Sequence, residues 1–340
     1  MRCRLTLLMC ALALLGVLAV PAAATHVDCG DVITTDTTLD SDLVDCPGDG
    51  VVIGASGITL DLAGHTIDGT DASGSTGVKN HGEHDGLTVT NGTIRHFGSS
   101  VSLRKQQGGE VSRLVTDHIG LTDSSDIRIE RNLVGGGIGL LTESDRVLIT
   151  RNDIAGGVIA QGFPPFLSFG GFPDDLVIDR NTIHPVVALF QAPNASVTRN
   201  RVLGSPSNSI GAGIFIRGSQ GSAVVERHEV SGAMTGIALF ATQVILTRNL
   251  VFENASDGIL VQSGPFPGRR HVIDRNRSER NGDDGIDVDV TSATVTISNN
   301  FASFNGDLGI EAVPTPVIDG GGNKARGNGN PAQCLNVSCK

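Results

Sequence analysis

Short apolar strips recur along the chain at a regular interval, and each strip is followed by an asparagine. The interval averages 24 residues, because the seven steps between the first and last of these positions add to 168 residues. Self-similarity at such a period is typical of stacked repeats. The repeated positions are Asn132, Asn152, Asn181, Asn200, Asn249, Asn276 and Asn300, with His228 in the one gap.

The residues before each repeated position alternate as they do in a half-buried strand. The residue three positions earlier is Ile, Val or Leu, as in Ile149 and Leu246, and the residue five earlier is apolar in every rung but the one with His271. Residues two apart lie on one face of a strand. A second strand follows in phrases such as "GIALF" and "GIDVDV". The pattern predicts an all-β parallel solenoid, in which each asparagine takes a left-handed turn position and its amide bonds to neighbouring rungs.

Phrases such as "VIDRNTI" and "VILTRNLV" resemble the repeats of right-handed parallel β-helix proteins, the superfamily of pectate lyases, polygalacturonases and alginate epimerases. The resemblance implies a right-handed parallel β-helix (β-solenoid) of roughly ten or eleven rungs over residues 51–313. Residues 25–50 and 314–340 are then an N-terminal and a C-terminal cap. Because this fold hosts lyases, hydrolases, epimerases and adhesins, the resemblance implies a fold more than a function.

Both ends of the chain carry further signals. Residues 1–24 hold Arg2 and Arg4, an apolar run and small residues before a cleavage point, which predicts a secretory signal peptide and no membrane span. The mature chain keeps four cysteines in two local pairs. In an exported protein we expect the disulfides Cys29–Cys46 and Cys334–Cys339, with zinc binding as the alternative.

Charge is concentrated at the N-terminal end. The chain carries a formal net charge of −11, and residues 25–78 hold ten aspartates with no lysine or arginine. We interpret this segment as a solvated acidic cap, with calcium binding by the aspartates as the alternative. Because the chain is this acidic, we do not expect it to bind nucleic acid.

One loop between predicted strands contains His81, Glu83, His84 and Asp85, and we expect His65 on the rung below it. These residues form either a metal site or a set of polar loop tips. The insertions at 162–173 and 263–270 hold five of the twelve phenylalanines. We expect these insertions to cover the outward-facing side chains of Phe190, Phe215 and Phe240, or to line a ligand pocket.

An arginine directly precedes most of the repeated positions. In a stack these side chains would form a column about 4.8 Å apart, where like charges repel unless carboxylates or an anion intervene. Glu130, Asp179, Glu226 and Asp274 can supply carboxylates. The alternative is a linear track that binds an acidic polysaccharide. The column is Arg131, Arg151, Arg180, Arg199, Arg227, Arg248 and Arg275.

A second candidate site is acidic. In "GIDVDV" the residues Asp287 and Asp289 point outward, and counting from the repeated positions places Asp287 between Leu260 and Glu311 of the adjacent rungs. Asp287, Asp289 and Glu311 are therefore the predicted ligands of a Ca²⁺ ion, with a solubilising patch as the alternative. By analogy with pectate lyases, the catalytic candidates are Asp287, Asp289, Arg269 and Arg270.

The sequence contains no tryptophan and no tyrosine, which excludes a tyrosine acid or base. We predict a secreted, extracellular protein that recognises an acidic polysaccharide and, if it is catalytic, acts as a polysaccharide lyase or uronate epimerase. The alternative is a non-catalytic surface, structural or adhesion protein. The sequence names no cofactor other than Ca²⁺ and does not define the oligomeric state.

Overall fold

Three columns of parallel strands wind around one apolar core. The computed structural model describes residues 25–161, 171–218, 221–240, 243–262, 270–290, 294–313 and 317–340, and within these ranges every regular element is a strand. The chain is an all-β, right-handed parallel β-helix of about 12 rungs, which confirms the predicted fold class and slightly exceeds the predicted number of rungs. The predicted signal peptide, most of both phenylalanine-containing insertions and Arg269 lie outside the described residues.

Sheet 1 is a stack of 14 strands in chain order. Each strand is short and pairs in parallel with the strands before and after it. Its strands are Asp31–Ile33, Val51–Ile53, Thr76–Asn80, Ser99–Arg104, Ile119–Thr122, Ile138–Leu141, Val158–Gln161, Val187–Phe190, Ala212–Arg217, Thr235–Phe240, Ile259–Gln262, Ile286–Asp289, Ile310–Ala312 and Cys334–Leu335.

Sheets 2 and 3 are the other two columns, and the long strands Leu87–Arg95 and Gln107–Thr116 pass through both. Sheet 2 also contains Thr37–Thr38, Thr59–Asp61, Ser125–Glu130, Leu148–Thr150, Val177–Asp179, Ser196–Thr198, Ser222–Glu226, Gln243–Thr247, Arg270–Asp274, Thr294–Ser298 and Val317–Gly321. Sheet 3 also contains Leu43–Cys46, Thr66–Gly69, Leu133–Val134, Asp153–Ile154, Thr182–Ile183, Arg201–Leu203, Glu229–Ser231, Leu250–Phe252, Arg277–Glu279, Phe301–Ser303 and Lys324–Arg326.

The stack extends into both segments that were predicted as caps. Asp31–Ile33 pairs with Val51–Ile53, and Cys334–Leu335 pairs with the strand that begins at Ile310. Each terminal segment also contains its expected disulfide, Cys29–Cys46 or Cys334–Cys339. Both bonds are consistent with an extracellular protein, because disulfides persist in oxidising compartments. The described residues include no helix that is long and apolar enough to cross a membrane.

A ladder of buried amides runs along the core at the corner between sheets 2 and 3. The Nδ2 atom of Asn132 donates to Oδ1 of Asn152 at 3.0 Å, and Asn152 donates to Asn181 in the same way. Each Oδ1 also accepts the backbone N–H of the preceding ladder residue. The predicted bonding between rungs is therefore present. Asn323, which the repeat count missed, accepts the last of these bonds from Asn300.

The left-handed position belongs to the arginine and not to the asparagine, so the predicted turn role of the asparagines is wrong. Arg151 has a φ of 57° and Arg248 a φ of 57°, and the other arginines of the column adopt similar angles. The corner needs one exposed residue with positive φ, and the next residue must point its amide into the core. Asparagine is the residue whose amide can make those buried bonds, so the arginine takes the strained conformation.

His228 replaces one amide of the ladder. Its Nδ1 accepts the backbone N–H of Asn200 at 3.1 Å, and its Nε2 lies 2.8 Å from the carbonyl oxygen of Val197, to which it donates. This arrangement requires the neutral ring, because a protonated Nδ1 would meet a donor. Burial lowers the pKa of His228 to about 4.

Replacing a ladder amide should destabilise the fold. Asn249→Leu leaves the N–H of His228 and the carbonyl of Val225 without their bonds. We expect the free energy of unfolding in urea to fall by about 1–3 kcal/mol or more. Arg248→Gln, which changes the exposed residue one position earlier, is the control and should change it little. Equal stabilities of the two variants would contradict a structural role for the ladder.

Replacing His228 by the ladder's own residue should remove an acid sensitivity. The unfolded histidine takes up a proton near its ordinary pKa of 6.5, and the folded one only near 4, so stability is lost as pH falls through this window. Between pH 7 and pH 4.5 this loss is about 2.4 kcal/mol. His228→Asn should reduce the difference between the unfolding free energies at these two pH values by that amount. An unchanged difference would mean that the ring is not held neutral.

Candidate functional site

Three aspartates meet at the corner between sheets 3 and 1, near the C-terminal end of the stack. Asp257 and Asp284 are buried in successive corners, and Asp287 is the first outward residue of the strand that follows the second corner. One carboxylate oxygen from each lies within 4.8 Å of the other two. Asp283, Asp284 and Asp307 form an overlapping group on the more exposed side.

A second amide ladder holds these corners in place. Asn254 donates to Asn281 at 2.9 Å, Asn281 donates to Asn305 at 2.9 Å, and the ladder continues to Asn328. The glycine after Asp284 allows the close approach, since a Cβ on Gly285 would lie 2.6 Å from Nδ2 of Asn305. The carboxylates therefore stand on a rigid platform, which a site with fixed geometry needs.

The buried aspartates also bond from rung to rung. Oδ1 of Asp257 accepts the backbone N–H of Asp284 at 3.3 Å, and Oδ1 of Asp284 accepts the backbone N–H of Leu308 at 2.6 Å. Ser256 donates to the other oxygen of Asp257 at 3.3 Å. Two of the three carboxylates are thus oriented by the backbone, whereas Asp287 reaches them from the sheet 1 side.

Burial and mutual repulsion make these groups hold their protons. Burial raises the pKa of Asp287 to about 7, with further contributions from the charges of Asp257 and Glu311. Burial, together with a hydrogen bond to Glu311, raises the pKa of Asp284 to about 8. Burial also raises the pKa of Asp257. Carboxyl groups in this state either exchange protons near neutral pH or give them up to a cation.

The donor set fits a calcium ion. Ca²⁺ binds six to eight oxygen ligands at about 2.3–2.6 Å, so ligand oxygens on one ion lie at most about 5 Å apart. The carboxylates of Asp257, Asp284 and Asp287 satisfy this limit. They would hold the ion, and the ion would supply positive charge to an acidic ligand.

The structure places the predicted acidic residues in two different environments. Asp287 pairs in register with Leu260 and Glu311, as the repeat count predicted. Asp289 is exposed and pairs with Gln262, outside the groups of carboxylates that are close enough to share an ion. The roles of Asp287, Asp289 and Glu311 as metal ligands stay predictions.

Sequence reasoning missed Asp257 and Asp284. Their signal was nonetheless present, because each stands eight residues after a ladder asparagine and begins the phrase Asp-Gly-Ile. The catalytic candidate Arg270 begins a strand of sheet 2 and is exposed. A full sheet 1 strand separates that strand from the corner of the carboxylates, and no ion pair joins Arg270 to the described carboxylates.

The arginine column lies at a different corner, between sheets 2 and 3. Carboxylates separate its members: Asp179 contacts Arg180 at 3.1 Å and Arg199 at 2.7 Å. Glu226 contacts Arg227 at 3.2 Å and Arg248 at 2.8 Å. Glu130 pairs with one member of the column, Arg131, and Asp274 with another, Arg275. Much of the positive charge is thus balanced within the protein, and the column does not line one groove with the aspartates.

The outer face of sheet 1 leads to the carboxylates. Phe215 lies between Phe190 and Phe240, and both ring-to-ring distances are 5.3 Å. Further toward the N-terminus, Gly120 and Gly139 leave the sheet bare, and a cleft of about 400 Å³ lies over them. One in-register column of outward residues runs from this cleft through Phe215 to the carboxylates, whereas Phe190 and Phe240 pair in register with Arg217 beside it. The column is Gly120, Gly139, Ile159, Ala188, Phe215, Ala238, Leu260, Asp287 and Glu311.

The residues of the histidine loop have separate partners. His65 contacts Asp42 at 3.1 Å, His81 contacts Ser102 at 2.8 Å, and Glu83 pairs with Lys105 at 2.8 Å. In the described part of the chain, these residues do not form a group close enough to share a metal ion. The loop therefore contributes polar contacts between rungs.

The chain has distant similarity to solved structures. Solved structures similar to the chain include the catalytic domain of a GH87 α-1,3-glucanase in complex with tetrasaccharides, at 11% identity and a TM-score of 0.39, and the Dettilon tailspike protein, at 15% identity and a TM-score of 0.38. The matches cover 92% and 90% of this chain but only 62% and 60% of those structures, so the chain spans about three fifths of their length.

No curated protein matches the chain. The family model of the right-handed β-helix region, however, matches residues 117–338, which is more than half of the sequence. Those residues include the amide ladders, the phenylalanine stack and the carboxylates described above. The chain therefore belongs to the right-handed β-helix region family.

Proposed function

We propose that this protein binds an extracellular acidic polysaccharide along the outer face of sheet 1, with Ca²⁺ bridging the sugar to the carboxylates of Asp257, Asp284 and Asp287. The observation that carries the proposal is the in-register column from Gly120 to Glu311. Eight strand spacings of about 4.8 Å make it about 38 Å long, enough for several sugar rings.

The chemistry of the column suits such a ligand. Saccharide sites combine apolar and aromatic surface with a few oriented polar groups. Phe190, Phe215 and Phe240 supply an apolar strip of three rings. The cleft over Gly120 and Gly139 leaves room for a ring close to the backbone. An elongated ligand can contact all of these features at once.

The cluster of carboxylates is the reason that the proposal includes a cation. Acidic sugars and a cluster of aspartates repel each other, and a Ca²⁺ ion between them removes the repulsion. The same ion would hold the ligand in one register on the column. Without it, the C-terminal end of the face would favour neutral sugars.

Lyase or epimerase activity is a further step of this proposal. Both reactions begin when a base removes a proton next to an acid group that a cation or a donor neutralises. The raised pKa values of Asp284 and Asp287 suit proton exchange near neutral pH. A non-catalytic surface or adhesion protein would bind the same polymers and leave them unchanged.

Calcium binding should release protons from the aspartates. Because their pKa values are raised above the ordinary 3.8, the folded protein holds protons that the unfolded chain has lost. Stability without Ca²⁺ should therefore fall as pH rises from 6 to 9. Added Ca²⁺ should raise the melting temperature more at pH 9 than at pH 6.

Asp287→Asn tests the assignment of this effect. The variant should show a smaller calcium shift and a flatter pH dependence than the parent, and Asp319→Asn, which changes a carboxylate near the C-terminus, is the control. A calcium shift that is the same at pH 6 and pH 9 would contradict proton displacement. A shift that persists in Asp287→Asn would place the ion elsewhere.

Polymer binding should depend on the phenylalanine stack and on Ca²⁺. We would measure binding of polygalacturonate and alginate, and product release from both, with Ca²⁺ and with EDTA. Phe215→Ser should weaken binding about tenfold, or about 1.4 kcal/mol. Leu133→Ser, which removes an exposed apolar side chain from sheet 3, is the control. If neither polymer binds the parent with Ca²⁺ present, the proposal is wrong.

A further inference from the structure

The outer face of sheet 3 carries a second aromatic surface at its C-terminal end. Phe301 lies between two guanidinium groups, with Cζ of Arg277 at 5.4 Å and Cζ of Arg326 at 5.3 Å from the ring centre. Arg277, Phe301 and Lys324 are consecutive in-register partners on adjacent strands. We call Phe301, Phe304, Lys324 and Arg326 the sheet 3 patch.

Positive charge in this patch is only partly balanced. Arg277 pairs with Glu279 at 2.5 Å, whereas Lys324 and Arg326 are exposed and form no ion pair with the described carboxylates. The arginine column differs, because shared carboxylates separate most of its members. On a chain with a net charge of −11, two such cations side by side form a local positive field.

Phe304 is an exposed ring in a strained position. Its side chain is 60% exposed and its φ is 57°. The neighbouring rungs place Arg280 and Gly327 at the same corner, also with positive φ. A bulky residue adopts this conformation at a cost, and here the ring gains little burial in return. An exposed and strained aromatic side chain is a reason to look for a ligand.

We infer that the sheet 3 patch binds the acid groups of a carboxylated or sulfated polysaccharide without the help of Ca²⁺. Guanidinium and ammonium groups bind carboxylate and sulfate oxygens directly through charge-assisted hydrogen bonds. Phe304 would take the apolar face of the sugar ring that bears the acid group. The patch thus uses cations of the protein where the face of sheet 1 needs an added ion.

A polysaccharide fits this surface better than an acidic peptide does. Peptides often bind by adding a strand to an exposed sheet edge, and Lys324–Arg326 is the last strand of sheet 3. The patch, however, consists of side chains on the outer face of the sheet and not of the backbone groups of that edge. Its two rings lie on one rung and its two cations on the next, about one strand spacing away. The inference shares the substrate class of the proposed function, and it uses different residues.

The test measures binding at low ionic strength in EDTA, because exposed charges are screened over about 8 Å at physiological salt. The probes are dextran sulfate and polygalacturonate, with neutral dextran and polyglutamate for comparison. The parent should bind the two acidic polysaccharides, release them as salt rises, and bind dextran and polyglutamate more weakly. Polyglutamate binding that is as tight would overturn the assignment to a polysaccharide.

Two variants and a matched control locate the surface. Lys324→Gln/Arg326→Gln should weaken binding of dextran sulfate by tenfold or more. Arg113→Gln/Arg128→Gln removes two positive charges from early rungs, one at the corner between sheets 2 and 3 and one in sheet 2, and should weaken it less than twofold. Equal losses in the two double variants would show an effect of net charge alone and overturn the inference.

Phe304→Gly separates binding from folding. Glycine accepts a positive φ without strain, so the melting temperature should stay the same or rise while affinity for both acidic polysaccharides falls. If the affinity of Phe304→Gly for these polysaccharides equals that of the parent, the Phe304 ring is not part of the binding site. Failure of the parent to bind any polymer in EDTA would overturn this inference and leave calcium-dependent binding on sheet 1 intact. Asp287→Asn, conversely, should bind normally in EDTA.

Discussion

The fold depends on buried amides that bond from one rung to the next. Most ladder asparagines donate to the following rung and accept from the preceding one, so a change of register in any rung would leave donors and acceptors without partners in the core. An unsatisfied buried polar group costs about 1–3 kcal/mol. The aliphatic columns alone would tolerate small slips between rungs. The amides do not, and they thereby fix the positions of every side chain on the three outer faces.

The regular stacking produces a different chemical arrangement at each of two corners and on the outer face of sheet 1. At the corner between sheets 2 and 3, arginines and carboxylates alternate and largely balance one another. At the corner between sheets 3 and 1, a second amide ladder runs beside aspartates whose pKa values are raised, chiefly by burial and further by their mutual repulsion. On sheet 1 itself, outward phenylalanines follow one another at 5.3 Å. Columns of like residues are unfavourable for charges and favourable for amides, which explains why only the charged columns need partners.

The sequence predicted what repeats and missed what depends on the shape of a corner. Ile149 and Asn152 could be placed because each rung repeats them at the same offset, and Asp287 could be placed over Glu311 for the same reason. The left-handed arginines were assigned wrongly because asparagine favours that conformation in isolation, whereas here burial of the amide decides. Asp257 and Asp284 lie close to Asp287 because the chain turns from sheet 3 into sheet 1 at their positions. The spacing marks the two positions, but it does not contain the direction of that turn.

The corners also differ in how much sequence they can absorb. Between sheets 2 and 3 the strands are separated by two residues in rung after rung, such as 151–152 and 248–249. Between sheets 1 and 2 the number of residues that separate the strands ranges from two (241–242) to fifteen (162–176). Evolution can therefore lengthen one corner of this fold without disturbing the ladder at the other. For protein engineering, the corner between sheets 1 and 2 is an insertion point at which foreign loops can be displayed along a rigid stack.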